Sequence, residues 1–166
     1  MSVRAAADYS GCVRAAILAI KRGERAYLDP LASLLAPLVP PGTTLIPVVT
    51  TRRRAAERGF DQARELARRV AILRSGALAD VLRKRGAAQR GLGRGQRLAA
   101  RGRFSLGPAV PHSAMLLDDV ITTGATLRDA AAVVAAAGCR IAGAVVVART
   151  PPDRETPRLG GRLVEA

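Results

Sequence analysis

Apolar side chains along this chain alternate between helical spacing and short unbroken runs. Residues 10–22 place Val13, Ile17 and Ile20 on one helical face, with Ala16 between them. Residues 29–38 predict a second, shorter helix, with Asp29 as N-cap and Pro30 at the first helical position. Phe60, Ala63, Leu66, Ala67, Val70 and Leu73 share one face of a third, with Arg and Glu opposite. The runs at 44–49, 114–117 and 141–148 predict strands, and Val81–Leu82 sits in a weaker one. Between the last two runs, residues 118–126 form a polar turn. Residues 127–137 form an Ala-rich helix that Gly138 ends. A strand–turn–helix–strand crossover implies a parallel sheet. The fold class expected is α/β, an open, mainly parallel sheet flanked by helices.

Length and composition narrow the picture. The chain has 166 residues, enough for one domain with a substantial core, and 49% are hydrophobic, which excludes whole-chain disorder. Residues 1–150 read as that single domain, and 151–166 as a peripheral or disordered tail. The longest apolar run, 130–139, is far short of the roughly 20 residues that span a bilayer. With no convincing signal peptide, a cytoplasmic protein without membrane contact is expected. Cys12 and Cys139 have no metal-ligand spacing and are expected as free, buried thiols.

Charge is unevenly distributed. Of 27 basic residues, sixteen fall between 52 and 103, against only four acids there. Such a segment should face an anion, a phosphate or a nucleic acid, or else form a solvated surface. Its second half, 83–103, is Gly-rich and lacks apolar periodicity, which predicts a long flexible loop, either functional or disordered.

The turn at 118–126 carries the most specific chemistry. Thr122, Thr123, Gly124, Ala125 and Thr126 lie between a strand end and a helix start. Small residues let the backbone curl, and Gly124 takes positive φ at low cost. First-turn N–H groups have no helical acceptor, and the helix dipole favours an anion there. A phosphate fits, with three threonine hydroxyls as further donors. Asp118 and Asp119, just ahead, would repel a bare phosphate. They make sense if the ligand also offers hydroxyls or a metal, as a ribose 5-phosphate would. Thr126 and Asp129 stand at capping-box spacing. The competing reading is an ordinary capping turn with two surface acids.

Residues 116–127, LLDDVITTGATL, resemble the phosphoribosyl-pyrophosphate (PRPP) motif of the type I phosphoribosyltransferases. Upstream, Arg58-Gly59-Phe60-Asp61-Gln62 resembles the Arg-Gly-Phe-Asn-Gln box of the competence-protein F (ComF, or GntX-like) family, and Ile46-Pro47-Val48 its preceding strand end. Gln89, Leu92, Arg97 and Phe104 echo a later stretch, and Tyr9, Val13, Arg14, Ile17 and Lys21 an earlier one. The chain departs from the pattern at Asp61, where Asn is usual, and lacks an Asn between Arg97 and Phe104. It also has no four-cysteine zinc module, which many members carry at the N-terminus.

The resemblance implies a type I phosphoribosyltransferase-like fold that binds Mg-PRPP and transfers its 5-phosphoribosyl group to an acceptor, releasing pyrophosphate. Asp118 and Asp119 would serve as catalytic acids on the ribose hydroxyls. Val120 and Thr122, Thr123, Gly124, Ala125 and Thr126 would complete the PRPP loop. The loop after the 44–49 strand, which carries Arg52, Arg53, Arg54 and Arg58, would bind pyrophosphate, with Arg58 and Arg52 as the contacts. Lys84, Arg85, Gln89 and Arg97 would lie on a flexible loop that closes over the ligand. Mg2+ would ride on the pyrophosphate, with no direct protein ligand. Tyr9 and Phe104 are the only candidates to stack a base. His112, in a Pro-flanked turn, reads as a loop residue. A homodimer would follow the habit of the superfamily. The alternative is a non-catalytic accessory protein in DNA uptake that binds single-stranded DNA or a protein through the basic segment. Against it, single-strand binders interleave aromatics with their charges, and residues 52–103 contain only Phe60.

Overall fold

The computed structural model describes residues 1–84 and 104–151. Five strands form one sheet: β1 (Val3–Asp8), β2 (Thr44–Pro47), β3 (Ala77–Leu78), β6 (Ser113–Ile121) and β7 (Arg140–Arg149). They run in the order β1-β7-β6-β2-β3, and every neighbouring pair is parallel. A separate antiparallel pair joins β4 (Leu82–Lys84) to β5 (Phe104–Leu106). The helices are α1 (Gly11–Lys21), α2 (Leu28–Leu35), α3 (Arg52–Arg58), α4 (Gln62–Leu73) and α5 (Ala125–Ala136). The mixed α/β class and the parallel sheet are as the hydrophobic pattern predicts.

Successive strand residues point to opposite faces, and here they feed two cores. Leu45, Met115, Leu117, Val145 and Val147 pack beneath α1, α2 and α4, against Ile17, Ile20, Leu28, Leu35, Leu66 and Val70. Ile46, Leu116, Ala144 and Val146 face the other way, onto Leu127, Ala130 and Val134 of α5 and onto Leu82 and Phe104. A sheet covered on both faces explains why its central strands read as continuous apolar runs.

Several local expectations need correction. Residues 52–58 are not a loop after β2 but helix α3: Thr51 caps it, its hydroxyl accepting the Arg54 N–H at 3.4 Å, and Gly59 ends it at φ +78°. The polar turn is shorter than 118–126, because β6 continues to Ile121 and α5 begins at Ala125. Asp118, Asp119 and Val120 are therefore strand residues. Asp29 is not the cap of α2; Tyr27 precedes that helix, which begins at Leu28. Leu73, assigned to the buried face of α4, is exposed at that helix's last turn. Arg83 and Lys84 belong to β4 rather than to a loop, and the rest of the 83–103 stretch lies outside the described residues, as does the tail beyond 151. Cys139 is buried, but Cys12 is exposed; both are free thiols.

Strand β1 has no counterpart in the sequence reading. It is an Ala-rich edge strand that pairs only with β7 and stays half exposed, so it needs no apolar run. Among the described residues no helix is long and apolar enough to cross a membrane.

Candidate functional site

The order of the strands creates the site. After β2 the chain turns to the face that carries α4; after β6 it turns to the opposite face, which carries α5. β2 and β6 are neighbours, so their C-terminal ends diverge and leave a crevice between them. Ligands of open α/β sheets bind at such a switch point. A cleft of about 240 Å³ lies there, between Val48–Thr50 after β2 and Asp118–Val120 of β6.

One end of the cleft is the turn at Thr122–Gly124. Gly124 has φ +73° and precedes α5 directly, as its sequence position suggested. A Cβ there would come within 3.3 Å of the Ile121 side chain and of Arg128 Nη1. The turn is braced from below, where Arg128 Nη1 donates to the Thr123 carbonyl at 3.0 Å and the Ala125 N–H donates to Thr123 Oγ1 at 3.4 Å. Gly124 and not Thr126 is the cap of this helix; Thr126, taken with Asp129 as capping-box spacing, lies inside the first turn. Residues Asp118 and Val120–Leu127 enclose a small cup at this helix start. Asp118, Val120 and Thr126 line both the cup and the cleft, so the two are continuous.

Asp118 and Asp119 form the floor. Asp119 Oδ2 lies 2.9 Å from Lys21 Nζ at the end of α1, and its Oδ1 accepts the Val120 N–H at 2.8 Å. Asp118 Oδ1 accepts the Asp119 N–H at 2.8 Å. Burial pushes the Asp118 carboxyl well above the ordinary aspartate range, the neighbouring Asp119 charge adds to this, and Lys84 opposes it. The side chain is only partly buried by its solvent exposure. It therefore sits in a cleft that water reaches.

The Arg-Gly-Phe-Asp-Gln box builds the opposite wall, each residue with a separate task. Arg58 faces the cleft, and its Nη1 donates to Gln62 Oε1 at 2.8 Å. Gly59 takes the left-handed conformation that ends α3. Phe60 is buried, with the Arg25 guanidinium 4.6 Å above its ring. Asp61 is buried and caps α4: Oδ1 accepts the Arg64 N–H at 3.0 Å, and Oδ2 accepts the Thr50 N–H at 2.7 Å. It thereby ties the start of α4 to the segment leaving β2. A carboxylate suits a position where both oxygens must accept.

Other predicted residues are distributed less neatly. Arg58 and Arg52 are not brought together: Arg54, one helical turn before Arg58, shares its cleft, while Arg52 lines a second cavity. The helical spacing Arg54-x-x-x-Arg58 puts those two of the four arginines on one side. Lys84 lines both cavities from β4. Arg85, Gln89 and Arg97 lie outside the described residues. Phe104 is core rather than a stacking surface, 5.7 Å from the Lys84 ammonium, and Tyr9 is half-buried beside Arg14. His112 is exposed in a bend, as expected. Lys21 entered the sequence reading only as part of an N-terminal echo, since no spacing rule links α1 to β6.

Mg2+ binds a few carboxylates together with substrate phosphates and water. Among the described residues, no three His, Cys, Asp or Glu side chains converge on one point. Asp118 and Asp119 offer the carboxylate share of such a set, so the cleft fits an ion that arrives with its own phosphate ligands. No protein-family model matches the chain, and no curated protein matches it significantly.

Proposed function

We infer that this protein is a type I phosphoribosyltransferase-like enzyme of the ComF kind, which binds Mg-PRPP and transfers its 5-phosphoribosyl group to an acceptor. One observation carries the reading: a small cup at the start of α5 opens into a cleft floored by Asp118 and Asp119 and walled by Arg54 and Arg58. Cup, acids and arginines follow one another in the order 5-phosphate, ribose diol, pyrophosphate.

In this reading the α5 N–H groups and the hydroxyls of Thr122, Thr123 and Thr126 hold the 5-phosphate. Asp119, and Asp118 when ionised, accept hydrogen bonds from the ribose hydroxyls. Arg54 and Arg58 face the pyrophosphate, whose oxygens match guanidinium forks. Mg2+ bound to the pyrophosphate neutralises part of its charge. An acceptor lone pair forms the new bond at C1 of the ribose as the C1–oxygen bond breaks, and pyrophosphate leaves with that electron pair. The arginines stabilise the charge that builds on it.

The test is thermal unfolding with and without Mg-PRPP, on wild type and on the Asp118→Asn/Asp119→Asn variant. A ligand at 100 times its Kd stabilises by about 2.7 kcal/mol, a Tm rise of roughly 5–11 °C for a chain of this size. The expected result is a rise in wild type that the double variant loses. Equal behaviour of the two proteins would overturn the reading.

A further inference from the structure

Beside the cleft lies a second cavity of about 290 Å³, no smaller than the first, which the reading above leaves unused. Val49, Thr50, Asp61 and Lys84 form the partition between the two. Beyond that partition, Arg64 and Arg83 pair with Asp80, and Arg52 lines the cavity with them.

The acids of this cavity are already committed. Asp61 spends both oxygens on the N–H groups of Thr50 and Arg64. Asp80 is shared, with Arg64 Nη2 and Arg83 Nη1 each 3.1 Å away. One carboxylate thus serves two guanidinium groups. Donors are left over. Arg64 Nε is buried and has no hydrogen-bond partner among the described residues. Arg83 directs all its hydrogen bonds through Nη1, to the Asp80 carboxylate and to the carbonyls of Asp80 and Leu82, so Nε and Nη2 stay open among the described residues. A buried donor without an acceptor is unusual in a folded protein and calls for a ligand or water. Paired guanidinium groups with unused N–H edges fit the two or three coplanar oxygens of a carboxylate or phosphate.

We propose that the cavity is a second oxyanion site, formed by Arg64 and Arg83 with Arg52 at its rim, and that it reads a carboxylate or phosphate group on the acceptor. The assignment to the acceptor rests on the phosphoribosyl-transfer reading; the oxyanion site itself does not. The acceptor is then an anionic small molecule rather than a neutral flat base, in keeping with a cavity whose lining contains no aromatic side chain.

Inorganic phosphate is the probe, and the arginine Nε–H resonances of the full-length protein are the readout. The expected result is a saturable shift of the Arg64 and Arg83 signals that persists when Mg-PRPP fills the first cleft. Arg64→Gln should silence the Arg83 response, and Arg83→Gln the Arg64 response. Asp80→Asn removes the competing carboxylate and should tighten phosphate by about tenfold, whereas a purely structural arginine cluster would gain nothing. Resonances that ignore phosphate would overturn the site. Resonances that Mg-PRPP alone moves, with no further response to phosphate, would show that the cavity houses the pyrophosphate limb, and would overturn the acceptor assignment. Failure of the phosphoribosyl-transfer reading shows up elsewhere, as an absent Mg-PRPP effect on Tm with the phosphate response intact.

Discussion

Lys21 and Asp119 meet 2.9 Å apart across the seam between α1 and β6, at the floor of the cleft. The pair joins the N-terminal helix to the strand that carries both acids, and it is half-buried rather than solvated. Lys21→Met should therefore lower Tm by a few degrees at neutral pH, since a partly buried pair is worth more than the roughly 0–1 kcal/mol of an exposed one. It should also weaken Mg-PRPP binding by about tenfold, the effect of losing about 1.4 kcal/mol of attraction for an anionic ligand. Calorimetric titration over a range of salt concentrations would measure both the loss and its screening.

Asp118 gives a prediction of opposite sign. Its carboxyl holds its proton to higher pH in the folded protein than in the unfolded chain, because of burial first and the Asp119 charge second. Between the unfolded value, about 3.9, and the raised folded one, the native state binds more protons. Stability from this group is therefore complete at low pH and is lost as pH rises through the folded value. Asp118→Asn should raise the Tm of the free protein at pH 7 by a few degrees, and the gain should vanish near pH 4. The same variant should bind Mg-PRPP less well. A variant no more stable than wild type at pH 7 would show that the site stores no strain in this carboxyl.

Asp61→Asn tests the opposite wall. An amide supplies one acceptor where the structure uses two, so its NH2 must face the N–H of Thr50 or of Arg64. Loss of either the cap or the tie to the segment after β2 should cost about 1–3 kcal/mol, readable in urea unfolding. Binding of Mg-PRPP should fall less than stability does.

Gly124→Val should spare the fold more than the function. The residue sits at φ +73°, and a side chain there would press on Ile121 and Arg128. Strain of this kind costs on the order of 1–3 kcal/mol. The larger effect should be on the cup, whose curvature depends on that residue, so the Mg-PRPP shift in Tm should disappear. Retention of the full shift would remove the cup from the binding site.

The sheet and its central crossover were legible in the sequence because buried parallel strands are runs such as 141–148 and the helix between them ends at Gly138. Edge strands β1 and β3 were not: one is alanine and arginine, the other two residues long. Helix α3 was hidden by its composition, since Arg52–Arg58 has no apolar face and contains no buried residue. Reading the segment as a loop left Arg52, Arg54 and Arg58 in one group, whereas the helix turns Arg52 to a different cavity. The acids and the glycine turn were visible as a local pattern. Lys21 meets Asp119, and Arg64 meets Asp80, only through tertiary packing, which one-dimensional spacing does not encode.

The reversal of strand order between β2 and β6 has a mechanical consequence. The Arg58–Gln62 wall is anchored through Phe60 in the core beneath α4, and the cup is anchored through Leu127 in the core beneath α5. A molecule that spans the cleft acts as a clamp between two separately packed halves. Its affinity then depends on how firmly each half holds its own wall, so substitutions deep in either core can loosen binding without touching the ligand.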